Sequence, residues 1–167
     1  MTVSFVLLSF FPEQPEYNMF QRQRMEKEFL PIFRQPYGLG TTIWSPLNSG
    51  ILTGKYKNGV PEDSRLAHKN YSELLKGHLK NVPKANELEV IAQKLGCPLS
   101  QLAVAWCLKN PNVTTVLLGA TKVEQLKENL GALEVAAKLT PEILEEIEKI
   151  LANKPEADRN WGRDARA

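Results

Sequence analysis

The order of apolar patterns along this 167-residue chain predicts an α/β fold with parallel strands. Three observations carry that expectation. The β-rich run Thr41-Thr42-Ile43-Trp44-Ser45 ends at Pro46. A second run, VTTVLL at 113–118, ends at Gly119. Segments of helical periodicity lie before, between and after the two.

The elements follow in order. Residues 1–11 read MTVSFVLLSFF, with no positive leader and no small-residue cleavage site, which argues against a secretory signal. The run is too short to span a bilayer. Val3, Phe5, Val6 and the following Pro12 suit a buried strand. Met25, Phe29, Ile32 and Phe33 fall at helical spacing, predicting a helix over 21–33 that Gly38-Leu39-Gly40 breaks. Residues 48–80 are rich in Gly, Asn, Ser and charge and read as a long irregular stretch. An amphipathic helix is expected over 85–95, closed by Gly96. The segment 99–108 is apolar on most faces and reads as a buried helix. Gly119-Ala120-Thr121 turns into a helix over 123–133. Thr140 as N-cap and Pro141 at the first helical position open a last helix. Beyond Pro155 the chain is polar, with Trp161 a candidate to dock.

A closed eight-stranded α/β barrel needs about 200 residues or more. With two clear strands and a third near the start, the chain is expected to hold the last part of such a barrel, incomplete by itself. The division reads as an atypical apolar segment over 1–12, a domain over 13–155 and a polar tail over 156–167.

Composition excludes several classes. Charged residues make up 24% and the net charge is +2, so no basic excess points to nucleic acid. Cys97 and Cys107 have no metal or redox spacing and read as small buried hydrophobes, consistent with a reducing, cytoplasmic setting. His68 and His78 read as surface residues, and the glutamates between Glu142 and Glu148 as a solvated helix face. No nucleophile triad or metal-ligand spacing occurs.

Loops after strands carry the sites in parallel α/β folds. In the first, Glu13 to Asn18, Gln14 offers a carbonyl and an amide to a carboxamide ring, or is simply part of a polar loop. In the second, Trp44 stands at a strand end as an aromatic wall. Ser45, Pro46, Leu47, Ser49 and Gly50 follow, with backbone amides that can approach phosphates, and Lys55 and Arg65 add charge. Read alone, Trp44 could equally be core and the two cations solvated. The third, with Gly119, Ala120, Thr121 and Lys122, opens a helix whose amides and dipole favour an anion, or whose Thr121 is only a cap. Gln125, Glu128 and Asn129 lie on that helix, the last two within reach of an adenine amino group. Gly54-Lys55 is not a P-loop, because Tyr56 stands where Ser or Thr is required. Gly38-Leu39-Gly40 precedes a strand and so fails as a dinucleotide fingerprint.

Taken together, EQPEYNMFQR, TTIWSPLNSGILTGKY, Ser64-Arg65, KLGCPLSQLAVAWCLKNPNVTTVLLGATKVEQLKENLGAL and ILANKP resemble the aldo-keto reductases, in particular the voltage-gated potassium-channel β-subunit group. The similarity runs from about Gln14 to Pro155. It implies a (β/α)8 TIM barrel that binds NADP in an extended pose, and an oxidoreductase acting on a small carbonyl substrate. Gln14 would bond the nicotinamide carboxamide and Trp44 would pack on that ring. Ser45, Leu47, Ser49, Lys55 and Arg65 would line the pyrophosphate path beside Pro46 and Gly50. Thr121 and Gln125 would hold the 2′-phosphate end, near Gly119, with Glu128 and Asn129 at the adenine. A potassium channel's cytoplasmic region and a homo-oligomer are implied as partners, and a cytoplasmic location with them.

The resemblance also has a gap. The family's catalytic Asp, Tyr, Lys and His or Asn lie in the first half of the barrel, which has no counterpart here. Tyr17, Tyr37, Tyr56 and Tyr71 stand in other motifs. Hydride transfer needs an acid to protonate the carbonyl oxygen, so the chain is expected to be truncated and inactive alone. The rival expectations are a channel-regulatory module that binds NADP without chemistry, and a fragment with no function.

Overall fold

A computed structural model describes residues 13–35 and 37–156. The apolar run before Pro12 and the candidate Trp161 lie outside the described residues.

Strand β1 (Thr41–Ile43) pairs in parallel with β2 (Val113–Val116), Thr42 lying opposite Thr115 and Ile43 opposite Val116. On the other side of β1 the segment 13–17 runs parallel, bridged at Glu13–Thr41 and Glu16–Trp44. The Thr42 and Trp44 amides donate to the carbonyls of Glu13 and Pro15, and the Tyr17 amide donates to Trp44. The β-branched residues of β1 suit this central place, where both edges are bonded. Ile43 is wholly buried.

Helix α4 (Leu99–Leu108) is the hub. It buries Leu99, Ser100 and every residue from Leu102 to Cys107, as expected of a segment apolar on most faces. Four further helices pack about it and one another: α3 (Val82–Lys94), α5 (Val123–Leu130), α6 (Ala132–Lys138) and α7 (Pro141–Leu151). Leu88, Leu102, Ile147 and Leu151 are fully buried among them, each contributing roughly 1.5–3 kcal/mol by leaving water. Gly96 closes α3 at φ 70°, a left-handed C-cap that favours glycine. Thr140 Oγ1 accepts from the Ile143 amide at 3.4 Å, the expected N-cap. A hydrogen bond from the Thr140 hydroxyl, and one from Glu142's own backbone amide, hold the Glu142 carboxyl below its ordinary value.

Several elements differ from the sequence reading. The helix expected over 21–33 is a π-helical turn (Arg24–Glu28) followed by the short α1 (Leu30–Phe33). Two causes are local. Asn18 and Gln21 close a turn on each other, delaying the start. Pro31 has no amide to donate, and Phe29 reaches back to Arg24 instead. The stretch 48–80 is more ordered than expected. It holds 3₁₀ segments at Asn48–Thr53, Arg65–Ala67 and Lys76–Asn81 and the helix α2 (Lys69–Leu75). His68 starts α2 by accepting the Asn70 amide at Nδ1. Helix α3 begins at Val82 rather than 85, because Pro83 suits a first turn. Helical structure also continues past 133, α5 and α6 meeting at Gly131.

Three single residues need correction too. Cys97 is only half-buried, its thiol on the Ala92 carbonyl, whereas Cys107 is fully buried and burial pushes its thiol well up. His78 is half-buried, not a surface residue. Glu148 is half-buried and paired rather than free in solvent: Arg22 Nη1 donates to it at 2.7 Å. Arg22 is itself buried, bonded through Nε and Nη2 to Glu26 and stacked 5.1 Å from the Trp106 ring. Burial alone would lower the guanidinium pKa, but the bonds to Glu26 and Glu148 outweigh it and raise it.

Candidate functional site

The two strands end side by side, and the loops after them face a common cleft of about 910 Å³. That is within the range of small-molecule sites. The first wall begins at Trp44. Its backbone is pinned to the segment 13–17, and its indole Nε1 donates to the Gln14 carbonyl at 3.2 Å. The ring stays 45% exposed and lines the cleft. Trp44 is therefore a wall rather than core.

The loop after it is built from unusual backbone. Ser45, Asn48 and Ser49 have φ of 58°, 47° and 57°, and Gly50 has 92°. Left-handed non-glycine residues cost of order 1–3 kcal/mol each, so the surroundings must hold them. Asn18, wholly buried, donates from Nδ2 to the Ser45 carbonyl at 3.0 Å. Its Oδ1 accepts from the Phe20 and Gln21 amides. Asn48, also wholly buried, accepts from Asn81 Nδ2 at 3.4 Å. Beneath these lies Glu16, which burial raises above the usual carboxylate range while the His78 charge pulls it partly back.

Gly50 serves a second purpose. A Cβ there would stand 2.9 Å from Lys55 Cε and 3.1 Å from its Nζ. Glycine thus leaves the room in which the Lys55 ammonium sits, 5.1 Å from the Tyr56 ring centroid and on the cleft. Arg65 stacks at 5.4 Å on Tyr71, and both face the same space.

The opposite wall follows β2. The Leu117 amide donates to the Ile43 carbonyl at 2.8 Å, tying the two strand ends together. The chain then runs through Gly119 to Thr121 and enters α5. Thr121 is not the N-cap: Lys122 holds that place, and no side chain caps the helix. Thr121 instead donates from its amide and its hydroxyl to Gln125 Oε1, at 3.0 and 3.3 Å. Helix amides without a side-chain cap suit an anion.

Of the candidates read from sequence, Trp44, Ser45, Pro46, Leu47, Ser49, Gly50, Lys55 and Arg65 all line the cleft. So do Gly119, Thr121, Gln125, Glu128 and Asn129. Gln14 does not; it touches the site through its backbone bond to Trp44. Thr53, Asp63, Tyr71 and Ser100 also line it and were missed. Ser100 alone left a signal, a hydroxyl at the start of a mostly apolar helix. Among the described residues no three His, Cys, Asp or Glu are grouped to hold a metal. No helix there is long and apolar enough to cross a membrane.

The cleft lies across the ends of parallel strands and brings together an aromatic wall, two cations and an uncapped helix N-terminus. The chain belongs to the aldo/keto reductase family, whose model matches residues 9–152. It is 50% identical over 152 residues to a "Probable voltage-gated potassium channel subunit beta" of Oryza sativa subsp. japonica, covering 89% of this chain and 46% of that protein. A protein of the same description from Arabidopsis thaliana is 47% identical, with the same coverage of each. The chain thus spans about half the length of the curated relatives it matches. The family's fold is a (β/α)8 barrel; the described residues supply two of its strands, the bridged segment 13–17 and their helices.

Proposed function

We propose that this chain is the C-terminal, cofactor-binding part of an NADP-dependent aldo-keto reductase barrel. The carrying observation is the single cleft in which Trp44, Lys55, Arg65 and the α5 start converge. The residues fit the dinucleotide phosphate. The exposed Trp44 face suits stacking by the nicotinamide, and Gln14 lies next to it. The left-handed loop from Ser45 to Gly50 and the Lys55 and Arg65 cations suit the pyrophosphate. Thr121, Gln125 and the uncapped amides of α5 suit the 2′-phosphate, and Glu128 with Asn129 suits the adenine.

When bound, NADPH supplies a hydride to a carbonyl carbon. The residues of this chain bind and orient the cofactor. The acid that protonates the carbonyl oxygen has no counterpart among them, so the chain is expected to show no turnover on a simple aldehyde by itself. Calorimetric titration tests the binding reading: NADPH should bind more tightly than NADH, since Thr121, Lys122 and Arg65 offer donors to the extra phosphate. Equal affinity for the two, or binding of neither, overturns it.

The relatives' description favours a second reading, a subunit of a voltage-gated potassium channel, to which the resemblance adds NADP binding and a cytoplasmic place. Co-purification of the chain with a channel's cytoplasmic region would support it.

A further inference from the structure

Ser100 is the second residue of α4 and is buried, yet it reaches the cleft. Its Oγ donates to Glu128 Oε1 at 2.6 Å. The next residue, Gln101, donates from Nε2 to the Glu128 backbone carbonyl at 2.7 Å. Gly131 makes room for that amide, because a Cβ there would lie 2.5 Å from Gln101 Nε2. The first turn of α4 thus grips Glu128 at the carboxylate and at the main chain. One carboxylate oxygen is engaged, and among the described residues no hydrogen bond or ion pair reaches the other. The exposed side chain lines the cleft with one oxygen tethered by Ser100 and an acceptor oxygen to spare.

We infer that Ser100 is a positioning residue that makes this site selective for a 6-amino purine over a 6-oxo purine. The inference rests on the dinucleotide reading above. An aimed carboxylate accepts from the amino group at position 6. Against a 6-oxo base it faces another acceptor, and the two oxygens repel. A carboxylate free to swing would relax from that repulsion and would also lose its hold on the amino group. Selectivity therefore depends on the hydroxyl that stops the swing.

The test compares affinities for NADPH and its hypoxanthine analogue, measured by calorimetry on the full chain and on Ser100→Ala and Gln101→Ala. The full chain should prefer NADPH by about tenfold or more, the scale of one hydrogen bond to a charged group. Ser100→Ala should weaken NADPH by about fivefold to tenfold and leave the analogue within about twofold, so that the preference collapses. Gln101→Ala, which keeps the hydroxyl, should weaken both ligands alike. If Ser100→Ala weakens both alike and keeps the preference, its role is structural and the inference is overturned. If the full chain binds both equally, the selectivity fails while the dinucleotide reading stands. If it binds neither, the dinucleotide reading fails and takes the inference with it.

Discussion

Asn18 Nδ2 donates to the Ser45 carbonyl at 3.0 Å, so a buried amide from one loop fixes a left-handed residue in another. Both loops lie at strand ends, and the bond joins them where Trp44 stands. Asn18→Ala would leave the Ser45 carbonyl and the Phe20 and Gln21 amides without this partner. The expected cost is about 2–3 kcal/mol of stability, with a larger relative loss in NADPH affinity because the loop relaxes. Urea denaturation and calorimetry on the same preparation check both. An unchanged loop affinity alongside the stability loss would show that the bond serves folding only.

Arg22 bonds Glu26, Glu148 and Asn153 at once, with only 3% of its side chain exposed. Replacing it with Leu strands two carboxylates against an apolar ring. The expected destabilisation is about 3–5 kcal/mol, the scale of breaking a buried pair from one side. A denaturation midpoint shifted by less than about 1 kcal/mol equivalent would mean that the carboxylates rehydrate freely.

Glu16 gives the chain a pH dependence of definite sign. Burial raises its folded pKa above the ordinary 4.5, against the pull of His78. The folded state therefore holds the proton more tightly than the unfolded one. Its contribution to stability is full below the unfolded value and is lost as pH rises through the raised folded value. Glu16→Gln cannot ionise, so it should melt above the parent at pH 7 and level with it near pH 4. An equal gain at both pH values would trace the effect to packing.

Val123, Leu126, Leu130 and Leu133 are between 42% and 66% exposed and follow one another along α5 and into α6. Such a stripe is expected to drive self-association of the chain in solution. Light scattering after size exclusion should find species above 18.8 kDa. The double change Leu126→Glu and Leu130→Glu should return the monomer. A parent already monomeric would remove the stripe as a cause of association.

What could be read from the sequence was what is decided locally. Helix α4 is apolar on most faces, and only a buried place suits it. Thr140 and Pro141 write a helix start in consecutive letters, and Gly96 writes an end. The cleft residues were found because they cluster directly after strands. What was missed depends on distant partners. Glu148 sits among other glutamates, and its arginine lies 126 residues earlier. Helix α2 has a polar composition, and nothing in its period announces it. The π-helical turn needs Pro31 and the Asn18–Gln21 turn together, each ordinary alone. Ser100 has meaning only once Glu128 is brought to it from 28 residues away.

The bond from Asn153 to the Met19 carbonyl spans 134 residues. Closing so long a loop is not prohibitive, since each doubling of length adds only about 0.6 kcal/mol. Its consequence is temporal. Synthesis runs from the amino end, so the loop at 13–22 emerges long before the residue that fastens it. Until Asn153 follows, Arg22 lacks Glu148 and Asn153, and the turn that carries Asn18 is held by its own short bonds and by those to Trp44 and Ser45. The wall at Trp44 is thus made well before it becomes fully rigid. A nascent chain arrested before residue 153 should give this loop to a protease that the finished chain resists.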